Sequence, residues 1–335
     1  MLGNHFRPWG QLAWIFNKIQ NKKWSLLGCL STEERCLASF HLIKAYDHLG
    51  NLFFLQINDP PSKFTKITSE ILEKRRRDFI SLGGKTSEIE EHELFENYNK
   101  LVDSIEQFIK KSTGNIIMDI SSFPKRFFFP IVRLLMRSSE IENLIITYTV
   151  PEKYSQNDLA EDPQTWLPLP LFGPQKFPEP EVKVALVGVG FIAFGLPELL
   201  RNEYSKASVK LFFPFPPGPP TYQRTWEFVR QIEKYFPLQS SNQIIRVGAL
   251  DVSTTFSHIC NETSDGTKNA IFAPYGPKPI SLAMCVYASL TNSPVYYTQP
   301  KTYNPDYCTG IKYINGIPEI YGYSLRLGGR NFYFI

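Results

Sequence analysis

"NIIMDISSFPKRFFFPIVRLLMRSSEIENLIITYTVPEKY" (residues 115–154) and "NAIFAPYGPKPISLAMCVYASLTNSPVYYTQPKTY" (residues 269–303) decide the fold of this 335-residue chain. Each opens on a short apolar run that reads as a buried strand. Each continues through a Pro-Lys step, Pro124-Lys125 in one and Pro277-Lys278 in the other, into an apolar stretch of helical length. A second apolar run follows, and each stretch closes on a heptapeptide, YTVPEKY at 148–154 and YTQPKTY at 297–303. A whole strand–helix–strand unit recurring in the same order is the mark of an internal duplication.

Working outward, the same alternation fills both halves. "KWSLLGCLS" (23–31) is an expected strand, followed by a helix in 32–50 where Cys36, Leu37, Phe40, Ile43 and Tyr46 recur at helical spacing. "NLFFLQIND" (51–59) is the next strand, closed by Pro60-Pro61, and helices are expected over 63–82 and about 95–113. In the second half, strands are expected at "VKVALVGVG" (182–190), "SVKLFFPF" (208–215) and "QIIRVGAL" (243–250), with helices between them. Strands alternating with helices imply parallel pairing. The expected fold is α/β: two tandem Rossmann-like parallel-sheet domains related by a pseudo-two-fold duplication. Residues 1–154 form the first lobe, 155–181 a Pro-rich linker, and 182–310 the second lobe. Residues 311–335 form a C-terminal β-hairpin extension, with turns at Asn315-Gly316 and Gly328-Gly329.

Composition narrows the class. With 43% hydrophobic and 20% charged residues the chain has material for real cores, and a net charge of +4 gives no case for bulk nucleic-acid binding. The five cysteines form no CxxC pair, so they read as reduced thiols of a cytoplasmic protein rather than a disulfide framework or a metal site. No apolar run approaches the length of a membrane span. No cofactor and no metal are expected.

Ligands of such sheets bind beyond the carboxyl ends of the strands. Four turns leave those ends: "CLSTEER" (29–35), "DISSFPKR" (119–126), "GVGFIAFG" (188–195) and "APYGPKP" (273–279). In the second of these, Ser121, Ser122 and Lys125 stand at a helix start and suit a phosphate, although a serine there could equally cap the helix. Asp119 could serve as a general base or be structural. GxxxxGK[ST], HExxH and GxSxG are all absent.

"MDISSFPKR" fits the later-strand pattern D-x-[ST]-x-x-x-K/R, and with the order of elements over 23–303 the chain resembles the CARF/SAVED group of Rossmann-like domains. That group senses cyclic oligonucleotides in prokaryotic antiviral defence. "FAPYGPK" departs from the pattern, lacking the acid and the hydroxyl. The resemblance implies a ligand site made of Ser31, Thr32, Ser121, Ser122 and Lys125 from one lobe and of Gly190, Phe191, Gly276 and Lys278 from the other. It further implies a nucleotide ligand and a separate effector protein, since no residues remain here for an effector domain. The expected function is therefore a two-lobed sensor of a phosphate-bearing, cyclic nucleotide. The alternatives are a nucleotide-cleaving enzyme of the ring-nuclease kind and a non-catalytic scaffold subunit of a defence complex.

Overall fold

The computed structural model describes residues 6–16, 22–155, 159–175, 180–215, 221–238 and 242–335. The chain divides into two compact units. The first comprises His5–Asp162 and Pro300–Phe332; the second contains Pro163–Gln299 and Tyr333–Ile335.

The first unit opens with strand β1 (Trp9–Gln11) and helix α1 (Leu12–Phe16), followed by β2 (Trp24–Leu30), α2 (Ala38–Ala45), β3 (Leu49–Asn58) and α3 (Thr65–Ser81). Then come β4 (Ile89–Glu93), α4 (Tyr98–Lys111), β5 (Asn115–Asp119), α5 (Lys125–Arg137) and β6 (Asn143–Thr149). Strands β4, β3, β2, β5 and β6 lie side by side in that order, all parallel. Every residue of β2 and β6 is buried, as expected of strands covered on both faces by crossover helices. Helix α4 shows the complementary pattern: Leu101, Ile105, Phe108 and Ile109 form its buried stripe, and Asn97 caps it by accepting from the N–H of Asn99.

Two features of this unit were not legible beforehand. Strand β4 reads IEEHE, and its charge hid it; as the sheet edge it buries only His92. The tail contributes a full strand, β19 (Ile320–Leu327), which pairs antiparallel with β6, and β1 pairs antiparallel with β19 in turn. The short strand β20 (Arg330–Asn331) folds back on β19 through Gly328 and Gly329, both at positive φ. The expected extension thus gives β19 and β20 to the first unit's sheet and Tyr333–Ile335 to the second unit. Its hairpin at Asn315-Gly316 joins β17 (Tyr313–Ile314) to β18 (Ile317–Pro318), again with both turn residues at positive φ.

The second unit runs β10 (Val184–Gly188), α6 (Leu196–Glu203), β11 (Ser208–Phe215), α7 (Thr221–Glu233), β12 (Gln243–Gly248), α8 (Val252–Glu262), β13 (Ala270–Pro274) and α9 (Lys278–Thr291). Its four strands are parallel in the order β12-β11-β10-β13. A single parallel bridge, Phe272 to Val295, stands beside β13 as β6 stands beside β5. Both units therefore place their third, second, first and fourth strands in the same spatial order. This is a mixed α/β protein with Rossmann-like parallel cores.

The Pro-rich stretch 155–181 is not bare coil. Its strand β8 (Ala160–Pro163) pairs with β15 (Pro300–Tyr303), and β9 (Leu167–Pro168) pairs with β14 (Tyr296–Tyr297). Just before it, β7 (Lys153–Tyr154) pairs with β16 (Cys308–Thr309). Among the described residues no helix is long and apolar enough to cross a membrane, and no group of His, Cys, Asp and Glu side chains could hold a metal ion.

Candidate functional site

At the carboxyl ends of the first unit's strands, the turns after β2 and β5 meet the end of β6. The serines expected at the ligand are the residues that tie these turns together. Ser31 Oγ accepts from the N–H of Glu33 at 3.1 Å. Ser122 Oγ donates to the carbonyl of Cys29 at 2.7 Å, joining the β5 turn to β2. Ser121, fully buried, accepts from the N–H of Thr149 at 2.8 Å, joining the same turn to β6. Its own N–H donates to Asp119 Oδ1 at 2.8 Å, closing an Asx turn at the strand end.

Asp119 is 3% exposed. Burial pushes its carboxyl above the usual range, while the nearby hydroxyls of Ser121 and Ser39 and the Arg35 guanidinium pull it back down. Its Oδ1 is bonded to the backbone of its own turn, while its Oδ2 has no hydrogen-bond partner among the described residues.

Lys125 is the first residue of α5, and Pro124 is its N-cap. Lys125 is buried, and Thr32, in the turn after β2, is half-buried. Pro124 supplies no side-chain cap, and the first turn of α5 has no acidic residue. Arg126 follows directly, its guanidinium 5.8 Å from the centre of the Phe95 ring, and burial lowers its pKa.

In the second unit, Lys278 is likewise the first residue of α9, after Pro277. The two N-cap prolines share one conformation, φ −59° and ψ 148° at Pro124 against φ −52° and ψ 150° at Pro277. Gly190 and Gly276 face one another's turns. A Cβ on Gly190 would lie 2.2 Å from the carbonyl oxygen of Tyr275, and one on Gly276 would lie 3.0 Å from that of Val189. Contact between neighbouring turns of one sheet thus explains both glycines without a ligand. Phe191, next to Gly190, is half-buried.

Sequence reasoning passed over the most concentrated polar group in the first unit. Arg35, 2% exposed, lies in the turn after β2. Its Nε donates to Glu33 Oε2 at 2.8 Å, its Nη2 lies 2.7 Å from the same oxygen in the ion pair, and its Nη1 donates to the carbonyl of Thr149 at 2.9 Å. The Tyr148 ring lies 5.3 Å away, and the Tyr148 hydroxyl meets that of Tyr154 at 3.0 Å. The Cys308 thiol donates to Glu33. Burial draws the Arg35 pKa down, but Glu33 and its other neighbours more than offset this and hold it well above its ordinary value, so the guanidinium stays charged. Tyr148, Thr149 and Tyr154 all come from the first heptapeptide; its repetition was the available signal.

Asp59, just beyond β3, was also missed. Burial pushes its carboxyl up to about 6, against which the N–H of Tyr303 acts. The unfolded value is about 3.9, so the folded chain holds this proton more tightly than the unfolded chain does. The group's contribution is fully favourable below about pH 4 and is lost as pH rises to about 6. Asp59→Asn keeps an acceptor for the Tyr303 N–H and removes that loss. It should leave stability unchanged near pH 4 and raise it by about 1–2 kcal/mol above pH 7, after allowance for partial exposure. Urea denaturation across that range checks this; an equal difference at both ends would show that Asp59 does not titrate there.

No family model matches the chain, and no curated protein matches it. Among solved structures it is similar to a functionally unknown protein from Pseudomonas aeruginosa PAO1, at 12% identity and a TM-score of 0.24, over 85% of this chain and 95% of that one. It is similar also to a universal stress protein from Archaeoglobus fulgidus DSM 4304, at 10% identity and a TM-score of 0.23, over 83% of this chain and 97% of that one.

Proposed function

We propose that the protein is a binding module for a phosphate-bearing nucleotide, a cyclic oligonucleotide in particular, and that it signals to a separate effector in antiviral defence. One observation carries this reading: in both units a Pro-Lys step forms the N-cap and first residue of the helix that follows the fourth strand. A lysine there is opposed by the positive end of the helix dipole, by roughly 0.3–1 kcal/mol, unless an anion joins it. In the first unit Arg126 adds a second cation, and the first turn of the helix itself carries no acidic residue. Cations at helix starts that lack a side-chain cap, at the carboxyl edge of a parallel sheet, are a chemistry suited to phosphate. The shared strand order and the matching Pro-Lys geometry support an origin by duplication, with one phosphate-binding helix start per unit.

The test begins with the purified protein, denatured and its released small molecules analysed by mass spectrometry. Cyclic oligonucleotides of differing base and ring size are then screened by thermal shift against wild type, Lys125→Ala and Lys278→Ala. At least one should raise the wild-type melting temperature, and each substitution should weaken its binding tenfold or more. If nothing is released and no cyclic oligonucleotide shifts the melting, the sensor reading fails. If linear products accumulate, the cleaving enzyme replaces it.

A further inference from the structure

The Arg35 cluster lies where a parallel sheet binds ligands, directly after the first unit's central strand β2. It is nevertheless closed by the protein's own groups. Arg35 meets one oxygen of Glu33 twice, at 2.8 and 2.7 Å, rather than both oxygens in the parallel fork that a carboxylate or phosphate offers. Glu33, only two residues from Arg35, is the N-cap of the single 3-10 turn Glu34–Leu37. A buried ion pair of this kind adds little net stability over an apolar replacement. Beside it, Thr149 is fully buried, and its Oγ1 has no hydrogen-bond partner among the described residues. Thr149 already presents its carbonyl to Arg35, so an unsatisfied hydroxyl stands next to the guanidinium.

The cover over this cluster is slight. Strands β7 and β16 are two residues each, with Tyr154 opposite Cys308 and Lys153 opposite Thr309. The Tyr154 hydroxyl meets that of Tyr148 and the Cys308 thiol donates to Glu33, while the Tyr154 ring packs edge-on against Tyr307. A pairing of only two residues a side has few backbone bonds to break, which places it among the segments that open locally.

We propose that Glu33 is a built-in stand-in for a ligand oxyanion, and that a phosphate group takes its place on Arg35 when the β7–β16 strap lifts. The incoming group would receive the guanidinium fork together with the Thr149 and Tyr148 hydroxyls. This site is separate from Lys125 and does not depend on the Pro-Lys reading.

Inorganic phosphate is the probe. Wild type and Glu33→Gln are titrated with sodium phosphate against sodium chloride at equal ionic strength, following thermal unfolding. Removing the Glu33 charge should tighten the apparent phosphate affinity at least tenfold, and the double variant Glu33→Gln/Arg35→Lys should lose most of that gain, since Lys lacks the fork. Glu33→Gln should give the same tenfold gain when introduced into Lys125→Ala as it does in wild type, which separates this result from any failure at Lys125. Should Glu33→Gln not fold, wild type answers alone. At temperatures below unfolding, phosphate should speed maleimide labelling of Cys308 at least threefold over chloride and leave Cys29, inside β2, unlabelled. An equal phosphate response in wild type and Glu33→Gln, or Cys308 labelling that tracks Cys29, overturns the proposal.

Discussion

Gly190→Ala is expected to destabilise the second unit by about 3 kcal/mol or more, among the largest effects of any single methyl group in this chain. The new Cβ would lie 2.2 Å from the carbonyl oxygen of Tyr275 and 2.8 Å from its carbonyl carbon, both backbone atoms. Neither turn can yield cheaply. Strands β10 and β13 are adjacent and in register, with Gly188 opposite Pro274, so the turns that leave them are pressed together. Tyr275 is also anchored through its hydroxyl, which meets Thr298 Oγ1 at 2.8 Å and accepts the N–H of Thr298 at 3.2 Å. Gly195→Ala, five residues on, is the control: its Cβ would meet nothing within 4 Å, and its effect should stay within about 0.5 kcal/mol. Urea denaturation followed by circular dichroism distinguishes the two. A Gly190→Ala protein as stable as wild type would return that glycine to the ligand role suggested by the resemblance.

Arg35→Met should cost about 3–5 kcal/mol, because it leaves the Glu33 charge buried without its partner. The Glu33 side chain is 11% exposed, and the substitution also strips the Thr149 carbonyl of its donor. The pairing with Glu33→Gln makes the argument specific. In the double variant no unpaired charge remains, so most of the loss should be recovered, with a coupling energy of about 1–3 kcal/mol in the mutant cycle. Additive losses would mean that Arg35 acts through its packing on Tyr148 and not through Glu33.

The alternation of strands and helices was legible because strands such as β2 and β6 are buried on both faces and read as uninterrupted apolar runs. Strand β4 was not, since an edge strand can carry Glu90, Glu91 and Glu93 to solvent while burying only His92. The tail does form strands, but β19 pairs with β6, which ends more than 170 residues earlier, and local pattern holds no information about such pairing. At the candidate site, the Pro-Lys steps were found by repetition, and both stand at helix starts. The serines stand in the turns at the strand ends, but their bonds were unforeseen: whether a hydroxyl there faces a ligand or a neighbouring turn depends on which backbone groups lie opposite. The Arg35 cluster draws on residues near 33, 148, 154 and 308, which become neighbours only in the folded chain. The first heptapeptide supplies three of those groups and so carries more than the register of a repeat.

Equilibrium binding of cyclic oligonucleotides to wild type, Lys125→Ala and Lys278→Ala, measured by titration calorimetry at low and high salt, tests the central claim most directly. The account predicts binding by wild type that weakens with salt and falls at least tenfold in each variant. Undetectable binding by wild type, or one affinity shared by all three proteins, would contradict it.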